Sequence, residues 1–182
     1  NKTSGLGEKL KSGLATVGKT AVAGVTAGVA ALGTLGTKAV SAYADYEQLV
    51  GGVETLFKDS QDQVMDYANN AYKTAGLSAN EYMETVTSFS ASLLQSLDGD
   101  TSAAADKANL AITDMSDNAN KMGTDMTSIQ NAYQGFAKAN YTMLDNLKLG
   151  YGGTQAEMER LLADAEKISG IKYDISSYAD IV

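Results

Sequence analysis

Between Lys19 and Lys38 the chain runs from Thr20 to Thr37 without one charged side chain, built almost wholly from Ala, Gly, Val and Thr. No other feature narrows the possible folds as much, because it separates two chemically unlike parts. Residues 1–44 carry Lys2, Lys9, Lys11, Lys19 and Lys38 against Glu8, a net of +4, which leaves −12 of the total −8 to the other 138 residues. A basic, small-residue leader therefore precedes an acidic body. As a helix the 18-residue run would span about 27 Å, just under the roughly 30 Å of a bilayer core. Its only large apolar side chains are Val22, Val25, Val29, Leu32 and Leu35. Two readings stand: a membrane-competent segment, or a helix buried or self-packed in a larger assembly. Either must offset the leader's eight glycines, each of which disfavours an isolated helix by up to about 1 kcal/mol relative to Ala. Gly24 and Gly28 have the GxxxG spacing at which two helix backbones approach closely. With Val25, Val29, Leu32 and Leu35 they are the candidate helix-packing or membrane-contact residues. A secretory signal fits less well, because the run starts about 19 residues in and leads into helix instead of a cleavage region.

The body has the composition of helix without the composition of a heavy core. There is no Pro among 182 residues, where about nine would be average, so nothing interrupts a helix by the missing N–H and ring clash of proline. The 44% apolar content is dominated by Ala, with 3 Phe and no Trp. Ala buries little area at about 25 cal/mol per Å², so stability is expected to lean on a partner or on self-association. The chain starts at Asn1 and ends just after a new helix-like start, as a piece of a longer protein would.

Capping boxes mark two helix starts, Ser78 with Glu81 and Thr154 with Glu157, in which each partner satisfies the other's free backbone donor. After Ser78, residues Tyr82, Val86, Phe89, Leu93 and Leu97 follow steps of four and three, one helix face, and Asp98-Gly99-Asp100 ends it as a turn. After Thr154, Met158, Leu161, Leu162, Ala165 and Ile168 align, and Gly170 stands where a left-handed cap belongs. From Asp59 or Ser60 to Gly76 the stripe is Val64, Tyr67, Ala68, Ala71, Tyr72 and Ala75. From about Thr101 to Met122 it is Ala108, Ile112, Met115, Ala119 and Met122, a heptad-like coiled-coil seam whose small knobs let a second helix come close. A shorter helix covers roughly Met126 to Ala139. Leu149-Gly150-Tyr151-Gly152-Gly153 must be a loop. The chain is expected to be all-α, a multi-helix module over 45–182 behind a helical leader over 1–44.

Its side chains exclude most chemistry. Without His or Cys the usual zinc ligands, thiolate nucleophile and near-neutral titrating base are missing. A Ser nucleophile would need a Lys base, and no spacing supplies one. Asp98-Gly99-Asp100 fails as a calcium loop, because position six is Ala103 and position twelve is Asn109. The Gly-rich loop at Gly150, Tyr151, Gly152 and Gly153 precedes a helix N-terminus, a setting that can hold phosphate, but it lacks the Lys-Ser/Thr of a P-loop. It is a flexible connector or a candidate partner-contact loop. No enzyme, metal or cofactor is expected, and the −12 body disfavours nucleic acid. Tyr67, Tyr72, Tyr82 and Tyr133 fall on apolar faces and are expected in the core or an interface.

Four runs carry a resemblance. They are Tyr46-Glu47-Gln48-Leu49-Val50-Gly51-Gly52-Val53-Glu54-Thr55-Leu56-Phe57; Ala75-Gly76-Leu77-Ser78 leading to Tyr82-Met83 and Val86; Asp117-Asn118-Ala119-Asn120-Lys121-Met122-Gly123; and Ile129 through Gln130, Asn131, Ala132, Tyr133, Gln134, Gly135 and Phe136 to Leu147, Gly150–Gly153 and Glu157-Met158. From Ala42 onward the chain resembles tape measure proteins of tailed phages and phage-tail-like particles, particularly those of Gram-positive hosts. The resemblance implies a helical virion structural protein that occupies the tail tube lumen, sets tail length in assembly, and is expelled during genome delivery. It implies as partners the tail tube protein, baseplate hub or distal tail proteins, and further copies of itself, three or six around the tube axis. It implies a place inside the tail tube of the virion, and the host cytoplasm during assembly. Long uninterrupted heptads that would do the measuring are missing, so the segment resembles an anchoring module. Two other classes remain: a membrane-active protein whose leader inserts into a bilayer, including the host membrane during ejection, and a secreted helical adhesin or effector. A peptide covering residues 5–44 separates the first pair: binding to liposomes supports membrane activity, and its absence, with co-purification of tube or hub protein, leaves the structural role.

Overall fold

Alanine lines much of the buried surface of these helices. The computed structural model describes residues 43–182, of which 76% are helical and none is in a strand. Helix α1 occupies residues 43–57, followed by a 3-10 turn at Lys58–Ser60. Then come α2 (Gln61–Thr74), α3 (Ala79–Ser96), α4 (Thr101–Met122) and α5 (Met126–Phe136). A second 3-10 turn, Leu144–Leu147, leads to α6 (Gln155–Ser169) and the short α7 (Tyr178–Ile181). Residues Tyr46–Val182 form one compact unit. At its centre α4 packs against α2, α3, α5 and the first 3-10 turn. Ala104, Ala105, Ala108 and Ala111 on α4 are buried, as are Ala68 and Ala71 on α2.

Large side chains close the core around those flat faces. Phe57, Tyr82, Met83, Leu93, Ile112, Met115, Ile129, Leu144 and Met158 are all fully buried, and they belong to one continuous cluster. The scarcity of large residues is thus offset within the unit by their convergence, and the described residues hold a core of their own. The rings of Phe89, Tyr133, Phe136 and Tyr141 form a tilted chain with centroids 6.5, 5.7 and 6.1 Å apart, the inclined geometry that aromatic quadrupoles favour. Tyr178 closes it, its hydroxyl donating to the Tyr133 carbonyl at 3.0 Å.

Helix ends follow local chemistry. Ser78 forms a full capping box: its Oγ accepts from the Glu81 N–H at 3.3 Å, and the Glu81 carboxylate accepts from the Ser78 N–H at 2.8 Å. Those bonds to Ser78 hold the Glu81 carboxyl below the usual range. Their contribution is therefore present at neutral pH and lost as pH falls through the folded value. Asp100 caps α4 through the Ala103 N–H at 2.9 Å, and Asp125 caps α5 through the Ser128 N–H at 3.0 Å. Gly123 ends α4 with φ +62°, a conformation that costs a residue with a Cβ.

Several expectations are corrected. Helix α5 stops at Phe136, three residues before Ala139, because the chain folds back there and the Asn140 N–H donates to the Gly135 carbonyl at 2.9 Å. Tyr72 is 79% exposed: it stands roughly 80° around α2 from Val64, on a side no helix covers. Tyr67, on the opposite flank, reaches α4 and donates to Asp106 Oδ1 at 2.6 Å. Ile168 is 88% exposed, since the face of α6 that meets the core is the narrow Met158–Leu162 line and Ile168 lies about 120° from Leu162. The Thr154 box is half made: Thr154 Oγ1 accepts from the Glu157 N–H at 3.2 Å, but the Glu157 carboxylate turns elsewhere. Helix α1 was not marked by caps or periodicity, yet it buries Val53 and Phe57 completely.

The alanine face gives a sharp test. Ala108→Leu, at a fully buried position, is expected to cost about 1–3 kcal/mol by overpacking, whereas Leu110→Ala, exposed on the same helix, should stay within about 0.5 kcal/mol. Urea unfolding midpoints of the two variants check the contrast.

Candidate partner-contact site

The Gly-rich loop hangs from the end of α4. The Lys148 ammonium donates to the carbonyls of Met122 and Gly123 at 3.3 and 3.1 Å, placing a cation where the helix dipole is negative. Asn118 Nδ2 donates to the Leu147 carbonyl at 2.8 Å, and Asn146 Nδ2 to the Ser128 carbonyl at 3.3 Å. The chain thus enters Leu149 from a fixed direction, and Lys148 itself adopts φ +53°.

Past Leu149 the loop clasps the first turns of α6. The Tyr151 hydroxyl donates to Asp164 Oδ2 at 2.9 Å, and the Arg160 guanidinium lies 4.4 Å above the Tyr151 ring centroid. Arg160 also donates to the Gly150 carbonyl at 3.0 Å and to Glu157 at 2.6 Å, while the Gly152 N–H donates to Glu157 Oε2 at 3.0 Å. Arg160 first, and then the Gly152 N–H, hold the Glu157 carboxyl below its ordinary range. Lys167 and then Tyr151 do the same for Asp164, and donating to Asp164 raises the Tyr151 phenol. All are surface pairs, each weak alone because water screens it; their effect is to hold one loop geometry. The loop is therefore tied at both ends and across its middle, unlike a flexible connector. The backbone donor that could face a phosphate is taken by Glu157.

Two of the three loop glycines have separate reasons. Gly150 has φ +86°, and a Cβ on Gly153 would overlap the Thr142 carbonyl. Gly152 meets no such obstacle, with Glu157 Cγ at 3.6 Å from its notional Cβ.

Leu149 also forms one lip of a groove of ≈ 360 Å³ between α4 and α5. Ile129, Tyr133 and Leu147 line its apolar side, with Met122 as the other lip. Asp114, Asp117 and Lys121 stand along the α4 wall, and Lys121 pairs with Asp117 at 3.4 Å. Burial against the wall, and then the charge of Asp117, raise the Asp114 carboxyl above its ordinary range. Met122, Leu149 and, one turn before Asp114, Leu110 are 39, 44 and 53% exposed. Sequence reasoning missed this groove. Leu110 fell off the α4 stripe, and Met122 was assigned to the buried seam; a large apolar residue beside a run of charges was the available signal. A second, more open groove of ≈ 570 Å³ runs between α6 and the segment through Tyr173 and Ile175.

Gly24, Gly28, Val25, Val29, Leu32 and Leu35, and with them the membrane-competent reading of the leader, lie outside the described residues. Among the described residues no helix is long and apolar enough to cross a membrane. Comparison with family models, curated proteins and solved structures finds no match for this chain.

Gly153→Ala is expected to lower stability by about 1–3 kcal/mol, since either α6 or the Thr142 backbone must shift. Gly152→Ala should be within about 0.5 kcal/mol of the parent. Thermal melts of both variants read the difference.

Proposed function

We propose that this chain is a segment of a tape measure protein of a tailed phage or phage-tail-like particle, an anchoring module that works by filling space and touching neighbours. The observation that carries the reading is the set of sequence runs from Tyr46 to Met158 that resemble that family. Two properties of the molecule support it. The runs coincide with elements that build the unit: Tyr46–Phe57 lies in α1, Ile129–Phe136 in α5, and Gly150–Gly153 is the clasp on α6. The chain's lack of His and Cys also suits a part with no reaction to perform.

In this reading the unit sits in the tube lumen of the virion, having been assembled in the host cytoplasm, and makes contact with tube protein, hub or distal tail proteins and further copies of itself. The mechanism is geometric. An extended helix advances 1.5 Å per residue, so the length of the parent chain limits how far tube subunits stack, and a folded module at one point along it supplies a place to hold. The acidic body repels passing nucleic acid, which keeps a delivery channel free of sticking.

In-frame removal of residues 46–182 from the full open reading frame is the test. Tails that are missing or scattered in length by negative-stain electron microscopy are the expected result. Particles of normal number and uniform, unchanged length would overturn the assignment.

A further inference from the structure

The groove between α4 and α5 combines two properties that constrain what covers it. Single exposed apolar side chains are ordinary. Here Met122 and Leu149 form both lips of one concavity whose side is Ile129, Tyr133 and Leu147. Contiguous apolar surface of this kind marks an interaction site. The volume, ≈ 360 Å³, suits a few side chains and is small for a folded surface.

Charge narrows the occupant. Asp114 has no hydrogen bond and no ion pair within 4 Å among the described residues; the charge of Lys121 acts on it from a distance while Lys121 pairs with Asp117 at 3.4 Å. Anything that seals the apolar side takes further water from the Asp114 carboxylate, and a buried unpaired charge is costly. A neutral or acidic partner leaves that cost in place. A partner that brings a lysine or arginine beside its apolar side chains removes it, because the long aliphatic stem can lie on Tyr133 while the head reaches the carboxylate. From Asp114 to Met122 the wall of α4 runs about 12 Å, a little over two helical turns. Apolar anchors at i, i+3, i+4 and i+7 on a helix match such a strip.

We infer that the α4–α5 groove is a docking site for a basic amphipathic helix of a partner protein, with its apolar face between Met122 and Leu149 and its basic side chain on Asp114. The inference rests on the groove and not on the phage-tail assignment, so either can fail alone.

The test uses the full 182-residue chain with labelled Met, Ile and Leu methyls. It is titrated with a synthetic amphipathic Leu/Lys helix of about four turns and with its charge-reversed Leu/Glu twin. The docking site predicts saturable shifts at Met122, Ile129, Leu147 and Leu149 with the Leu/Lys peptide and none with the twin. Asp114→Lys on the α4 wall and Leu149→Ser at the lip, both exposed positions, should each weaken the Leu/Lys peptide at least tenfold with an unchanged circular dichroism melt. Equal binding of the twin, shifts confined to Leu162 and Ile175 at the other groove, or no binding would each overturn the inference. Peptide-free shifts at the same methyls that grow with protein concentration, with a dimer mass, would instead make a second copy the occupant and overturn it as well.

Discussion

Ala104, Ala105, Ala108 and Ala111 are buried on α4, and Ala68 and Ala71 on α2, which packs against it. Where both surfaces end at Cβ, helix backbones can come to the close end of the usual 8–10 Å range, and dispersion between backbones replaces the interlocking of long side chains. That closeness has a consequence for the polar groups. The Ser116 hydroxyl can reach across to the Ala75 carbonyl at the end of α2, at 2.5 Å, and Ser60 and Thr101 share a hydrogen bond of 2.8 Å at the other end of the pair. Gln63, Tyr67 and Asp106 add a network along one edge. The two helices are thus tied to each other at both ends.

The large residues then take the positions the alanine face leaves free. Phe57, Tyr82, Met83 and Ile129 come from three different helices, so each helix contributes little area alone and the unit depends on all of them. This is how a chain with 3 Phe and no Trp forms a continuous core over residues 46–182. The same arrangement sets the loop and the groove. Because the C-terminal carbonyls of α4 are held by Lys148, Leu149 is delivered to the rim of the groove on one side and Tyr151 to α6 on the other. One cap thus positions both the rim of the groove and the clasp on α6.

The local signals carried well. Ser78 with Glu81, Asp98-Gly99-Asp100, Gly123 and Gly170 appear in the structure as the cap, the turn and the left-handed ends their chemistry requires. The stripe from Tyr82 to Leu93 is buried throughout. What did not carry was the width of each face. Tyr72 and Ile168 fit a helical period but lie at the margin of their stripes, and only the position of neighbouring helices says which margin is covered. Glu157 shows the same limit at a cap: the sequence offers it to Thr154, but Arg160 and Gly152 lie within reach and take it. Helix α1 escaped notice because Gly51-Gly52 weaken its local preference, and burial of Val53 and Phe57 overrides that weakness.

What the sequence determined by itself was the all-α class, most helix limits in the acidic body, and the exclusion of thiol and imidazole chemistry. These depend on residue type and on neighbours within four positions, where sterics and backbone hydrogen bonding are local. The tertiary structure alone decided that the Gly-rich loop is a clasp and that Met122 and Leu149 border one groove beside Asp114, which has no ion-pair partner among the described residues. Asp114 and Leu149 stand 35 positions apart, and no local rule brings them together; the packing of α5 and the 3-10 turn against α4 does.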